Sequence, residues 1–198
     1  MTSEVIIDVQ PKDISIALLE DKRLVEFQKE GRTEQFSVGN IYFAKVRKLM
    51  PGLNACFVGV GYERDAFLHY LDLGVRYRQY EHFISLYAGS DKKVLPLHKL
   101  PKQPATEKEG KIQNTVKNGD EVLVQIVKEP ISTKGPRLTC EITFAGRFLV
   151  MIPFSETVTV STTIKSDSVR VRLKHLATKL NPMVTDIIIR TVADENRK

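Results

Sequence analysis

Leu53-Asn-Ala-Cys-Phe-Val-Gly-Val-Gly-Tyr-Glu-Arg-Asp-Ala-Phe-Leu-His69 reads as two short strands joined by a tight turn at Gly59 to Tyr62. If the hairpin is symmetric about Tyr62, Phe57 and Phe67 lie directly opposite each other. Side chains on a strand alternate between faces, so Phe57 shares a face with Ala55 and Gly59, and Phe67 with Asp65 and His69. Cys56, Val58, Ala66 and Leu68 fall on the other face, which is the better core. Two aromatics on the more polar side, beside small neighbours, form a stacking platform for bases. Paired aromatics also stabilise a sheet by packing alone, and the hairpin by itself leaves both roles open.

Working outward, the run Gly39-Asn-Ile-Tyr-Phe-Ala-Lys-Val-Arg47 leads through Pro51-Gly52 into the hairpin. Val122-Leu-Val-Gln-Ile-Val127 is a further, central strand, and Arg137-Leu-Thr-Cys-Glu-Ile142 alternates as a fifth. Five short strands of this kind fit an OB-type barrel, an architecture that binds oligonucleotides on one face. Between the third and fourth strands lies a long insertion, roughly residues 70–118. Tyr77, Tyr80, Ile84 and Tyr87 fall near helical spacing there. Pro96, Pro101 and Pro104 follow among seven lysines, which predicts a short helix and then a mobile basic loop.

Upstream, Val5–Val9, Ile14–Leu19 and Leu24–Phe27 make a three-strand meander, too small to stand alone. Downstream of Phe148–Ile152, Val169, Leu173, Leu176 and Leu180 mark one face of a helix over Ser168–Leu180, with Ser166 or Asp167 as cap. Val184 to Thr191 is a final strand, and the helix–strand unit has no evident packing partner in the sequence.

The net charge of +6 is uneven. Residues 1–38 hold five Lys/Arg and eight Asp/Glu, a balance of −3, and the remainder carries +9. A basic body beneath an acidic N-terminal segment suits a polyanionic partner. Cys56 and Cys140 each fall on the apolar phase of a strand, as expected of buried, reduced thiols rather than ligands or nucleophiles. No stretch approaches the ~18 apolar residues of a membrane span, and the N-terminus lacks a basic-then-apolar signal pattern. The expected location is the cytoplasm.

Several stretches together resemble the N-terminal part of the bacterial ribonuclease E/G family, in style nearer to ribonuclease G. They are Asn40-Ile-Tyr followed by Lys45-Val; Leu53-x-Ala-x-Phe-Val-x-x-Gly-x-Glu-Arg-x-x-Phe-Leu68; Lys134-Gly135 followed by Leu138-Thr139; Ala145-Gly146 followed by Leu149-Val150; and Ile188-Ile-Arg-Thr191. The insertion is longer than that family's pattern. The resemblance implies a mostly β chain with α/β additions. Residues 1–35 would be partial ribonuclease-H-like strands, residues 36–143 a five-stranded OB-fold RNA-binding barrel with the insertion at about 70–118, and residues 144–198 a truncated 5′-phosphate sensor region.

It also implies roles. Single-stranded RNA would lie over Phe57 and Phe67, with the loop lysine Lys134 in support. Arg190 and Thr191 would bind a 5′-monophosphate, with backbone near Gly146 and Val150 completing the pocket. Ser161-Thr162-Thr163 stands where the family often has Ser-Arg-Arg, so two basic groups are absent. The family's magnesium-binding aspartates and zinc-linking cysteines have no counterpart in the chain. Magnesium and zinc are therefore implied for a full-length endoribonuclease, a homo-oligomer, while this chain has no catalytic or metal residues, needs no cofactor and is expected to be inactive alone. The alternatives are a stand-alone OB-fold RNA-binding or ribosome-associated protein, and a protein-interaction scaffold built on the tyrosine-rich insertion helix.

Overall fold

The computed structural model describes residues 2–10, 13–31, 36–88, 97–154, 157–180 and 185–194. The chain divides into two compact units, Met1–Ser37 and Val38–Lys198. The first is the expected meander: β1 (Ser3–Val9), β2 (Asp13–Glu20) and β3 (Arg23–Gly31), antiparallel in that order. Asp21 and Lys22 turn β2 into β3 with φ of 46° and 65°, the two left-handed residues that a tight hairpin turn requires. Val5, Ile7 and Val9 lie on one face and Ile6 on the other, all more than half exposed.

The second unit is built on a closed five-stranded barrel. Its strands are β4 (Ile41–Met50), β5 (Ala55–Gly59), β6 (Ala66–His69), β7 (Glu121–Lys128) and β8 (Arg137–Thr139), in the order β4-β5-β6-β8-β7 with β7 closing on β4. This is the strand order of an OB-fold, and the chain is mostly β with few helices. Alternation drives it. Val46, Cys56, Val58, Leu68, Val122, Val124, Ile126 and Leu138 point inward and are almost fully buried. Each of the aliphatic side chains among them contributes roughly 1.5–3 kcal/mol of burial.

Two local expectations are corrected. The hairpin connection is not a tight turn at Gly59–Tyr62 but a six-residue loop, residues 60–65, because pairing stops at Val58↔Ala66. The last barrel strand ends at Thr139, not Ile142. There the Cys140 amide and the Thr139 hydroxyl both donate to the Asp72 carbonyl, each at 2.8 Å. Cys140 and Ile142 stay buried although the backbone has left the sheet.

The insertion opens with a 3-10 turn at Tyr70–Leu73 and helix α1 (Tyr77–Tyr87), which buries Tyr77 and Tyr80 and packs against β7. Residues 97–118 are packed rather than a mobile loop: Leu100, Thr106, Ile112 and Val116 are buried, the last two completely, around the short helix α2 (Ile112–Thr115). Asn54, in the left-handed conformation, anchors this stretch from the start of the hairpin. Its side chain donates to the Gly110 carbonyl at 3.1 Å and accepts from the Ile112 amide at 2.7 Å. Residues 91–96 of the expected loop lie outside the described residues.

The C-terminal part is a four-stranded sheet in the order β11-β12-β10-β9, comprising β9 (Phe144–Ala145), β10 (Leu149–Pro153), β11 (Val158–Val160) and β12 (Thr185–Ile189). Helix α3 (Asp167–Leu180) covers it. The Ser166 hydroxyl accepts from the Val169 amide at 3.5 Å, a long N-cap bond. The buried helix face is corrected: Leu173 and Ala177 pack on Ile187, Ile189, Leu149, Val158 and Val160, while Leu176 is exposed. The helix–strand unit therefore has a core of its own. The Leu180 side chain lies outside what is described.

Candidate nucleic-acid interface

The register of the barrel builds the site. Phe57 pairs with Phe67 across the hairpin, Lys48 of β4 pairs with Phe57, and Arg137 of β8 pairs with Phe67 in the parallel sense. Directly opposed residues share a sheet face. The outer surface thus carries one row, Lys48–Phe57–Phe67–Arg137, with two cations flanking two aromatics. The opposite faces of the same strands hold Cys56, Val58, Ala66 and Leu68, all fully buried. Phe57 and Phe67 are half-buried, with ring centroids 6.0 Å apart at an interplanar angle of 69°.

Lys48 sits opposite Phe57 because β4 bulges at Arg47, which shifts the register between Val46 and Lys48. Gly59 and Ala55 do not leave the rings as open as the sequence suggests. The Arg47 side chain lies over Gly59, where any Cβ would meet its guanidinium, and Ala55 is fully buried. Arg47, Lys48 and Arg137 were not singled out by sequence reasoning. The alternation of β4 carried the signal for Lys48, but the bulge hid it. Arg137 is held by Asp72 through a forked pair, with Nε at 3.1 Å and Nη2 at 2.9 Å from Oδ2.

Above Phe57, Phe67 and Arg137 of this row lies a groove of about 770 Å³, lined also by Leu53, Arg64, Asp65, Lys128, Glu129, Ile131, Thr133, Lys134 and Gly135. Its walls are the β4–β5 connection, the β5–β6 loop and the β7–β8 loop. The strand 2–3 face with the first and last connecting loops is the oligonucleotide-binding surface of OB barrels. Lys134 closes a small turn in the β7–β8 loop, with the Ile131 and Lys134 backbones exchanging bonds of 3.0 and 3.2 Å around left-handed Ser132. Gly135 has a more specific role than loop flexibility: a Cβ there would collide with the Asp65 carbonyl. Glycine lets the lysine loop pack directly against the hairpin loop.

The second group of predicted residues also comes together. The Arg190 guanidinium donates to the Gly146 carbonyl at 2.8 Å, and the Arg190 amide to the Phe148 carbonyl at 2.8 Å. Val150 pairs with Ile188, so Val150, Ile188 and Arg190 share one face of the sheet. Thr191 begins a 3-10 turn beside them. Thr162 and Thr163 are exposed in the turn next to Ile189, since the Ser161 amide bonds the Ile189 carbonyl at 2.9 Å. Arg170 of α3, which the sequence did not single out, organises this turn by donating to the Ser161 and Ile164 carbonyls at 2.8 and 3.2 Å.

Nucleophilic chemistry has little support. Burial pushes the Cys56 thiol up to about 12 and raises the Cys140 thiol as well, which keeps both protonated and inert. Among the described residues no three His, Cys, Asp or Glu side chains are grouped to hold a metal ion. Asp8 accepts from the Gln10 side chain at 3.1 and 3.0 Å. No described helix is long and apolar enough to cross a membrane.

Fold and groove define the class: an OB-type barrel with a cation-flanked aromatic face, joined to a small α/β sheet. A family model described as the ribonuclease E/G family matches residues 143–198. Ribonuclease G of Escherichia coli strain K12 is 34% identical over 194 residues, 98% of this chain and 36% of that protein. Ribonuclease G of Haemophilus influenzae is 34% identical over 191 residues, and ribonuclease E of a Nostoc species is 36% identical over 163 residues, 82% of this chain and 20% of that protein. The chain belongs to the ribonuclease E/G family. It spans 36% of the length of the Escherichia coli relative.

Proposed function

We propose that the chain grips single-stranded RNA in the barrel groove and reads a 5′-monophosphate at the C-terminal sheet, as a substrate-selecting region of a cytoplasmic endoribonuclease that processes and degrades RNA. The observation that carries this reading is the row Lys48–Phe57–Phe67–Arg137, whose Phe57, Phe67 and Arg137 line the groove while Lys48 extends the row beside it. Bases stack on aromatic faces regardless of sequence, while flanking cations follow the phosphates. Lys134 adds an ammonium at the rim, and Arg64 and Lys128 add further positive charge.

At the second site, Arg190 supplies a planar fork for phosphate oxygens, Thr191 a hydroxyl donor, and the backbone at Gly146 and Val150 the wall. The meander is read as ribonuclease-H-like strands of the longer enzyme. Magnesium, zinc, hydrolysis and homo-oligomerisation belong in this reading to the longer enzyme, since metal-assisted hydrolysis needs grouped carboxylates.

The test is titration of a labelled single-stranded RNA at several salt concentrations. The reading expects affinity to fall linearly with log salt, by counterion release, and duplex RNA to bind less well because its bases cannot reach the rings. Equal affinity for duplex and single strand would refute stacking in the groove.

A further inference from the structure

The insertion that this chain adds to the barrel reaches the C-terminal sheet. Helix α1 is fixed to the barrel through Tyr77 and Tyr80 and through its packing on β7. At its N-terminal end, Arg76 Nη2 lies 2.6 Å from Asp186 Oδ2, in a pair whose side chains are only 22% and 13% exposed. Asp186 is held from its other oxygen by the Thr157 amide at 2.7 Å. Further along the helix, Phe154, the residue after β10, sits edge-on to Tyr80 at 5.0 Å and against Phe83 at 6.0 Å.

Two facts make this contact more than packing. First, the residues it holds flank the predicted phosphate pocket on both its strands. Asp186 and Arg190 share a face of β12, opposite the face that Thr185, Ile187 and Ile189 bury. Four residues along a strand separate them by about 13 Å. Phe154 directly follows β10, which carries Val150. Second, an ion pair this far from water is screened little and holds a defined geometry, unlike the exposed Arg78–Glu81 pair on the same helix.

We infer that Arg76 and Asp186 are positioning residues that fix the phosphate pocket at Arg190 in a set spacing from the aromatic groove, so that one RNA 5′ end engages both sites at once. This rests on the two-site reading above and adds what sets the distance between the sites. Binding at one site makes the second intramolecular, with an effective concentration that depends on how narrowly the spacing is held. Loosening the strut leaves each site intact and removes the gain from joining them.

The experiment compares the full chain with Arg76→Ala, Arg76→Lys, Asp186→Asn and Phe154→Ala, after thermal melting shows which variants remain folded. Three probes are titrated: a 5′-monophosphorylated RNA of about ten nucleotides, long enough to span several subsites, the same RNA with a 5′-hydroxyl, and a 5′-phosphorylated dinucleotide that reaches the pocket alone. Arg76→Ala, Asp186→Asn and Phe154→Ala should each lower the preference for the monophosphorylated long RNA, on the order of tenfold for Arg76→Ala. The 5′-hydroxyl RNA and the dinucleotide should bind as before, and Arg76→Lys should recover most of the preference. An unchanged preference in folded Arg76→Ala and Phe154→Ala overturns the inference. So does a matching loss for the dinucleotide, which would make Arg76 part of the pocket. A parent chain without any monophosphate preference refutes the two-site reading itself.

Discussion

Phe67→Ala separates stacking from packing at the groove. In the folded chain the Phe67 ring is half-buried and meets Phe57 edge-on at 6.0 Å. Removing it forfeits that pair, about 0.5–1.5 kcal/mol, but leaves the backbone seam intact, since the Phe67 amide bonds the Pro136 carbonyl at 2.8 Å. The stability loss should therefore stay well below the ~3–5 kcal/mol of deleting a fully buried phenylalanine. The RNA loses one stacking surface, about 1–3 kcal/mol, which is roughly a 5- to 150-fold rise in Kd. Anisotropy of a labelled single-stranded RNA gives the affinity, and thermal melting of the same protein gives the stability. A fall in Tm of full-core size with unchanged Kd would return the ring to a packing role and refute the row of cations and aromatics as a binding floor.

Lys134→Ala should lower the slope of log affinity against log salt by about one contact's worth, which parallel titrations of parent and variant check. Gly135→Ala should weaken RNA binding at least as much, because its Cβ would push the lysine loop off the Asp65 carbonyl; an unchanged Kd would show that the loops need not touch. Arg190→Ala should abolish the preference for a 5′-monophosphate over a 5′-hydroxyl while leaving 5′-hydroxyl affinity in place, read from the two RNA ends on identical sequence. The pH dependence follows from Cys56, whose thiol is raised from 9.0 to about 12 by burial. Stability from its neutral form is complete below about pH 9 and is lost as the pH climbs towards 12, because only the unfolded chain ionises freely in that window. Urea midpoints for Cys56→Ala, though lower at neutral pH, should therefore decline less between about pH 8 and about pH 10 than those of the parent.

The hairpin was legible because its two-residue alternation is unbroken from Ala55 to Val58 and from Ala66 to Leu68, and register then placed Phe57 against Phe67 without further information. Alternation misled at Cys140 and Ile142. Both are buried, so their pattern looks like a strand, yet Asp72 draws the backbone away. On α3 the face was displaced because Ala177 carries little hydrophobic signal beside Leu176, although the smaller residue is the one that fits against Ile187 and Ile189. Proline and lysine made residues 97–118 read as loop, and the few anchors that pack it, Leu100, Ile112 and Val116, are too sparse to show a period. β9 and β11 span two and three residues, below what any pattern resolves. The Arg76–Asp186 bond joins positions 110 residues apart, and nothing local announces it.

The barrel is closed unequally. β4 pairs with β5 and β7 over five residue pairs each, whereas β6 and β8 meet through the single pair Phe67↔Arg137. With the fewest pairs, that seam should open first, and the amide of Phe67 should exchange its hydrogen sooner than those of Val122 to Ile126. The groove floor crosses the same seam, with Phe67 on one side and Arg137 on the other. A strand lying there ties the two edges together from outside. If RNA binds as proposed, occupancy and closure are linked: a bound oligonucleotide should slow amide exchange at the seam, and opening of the seam should weaken its hold.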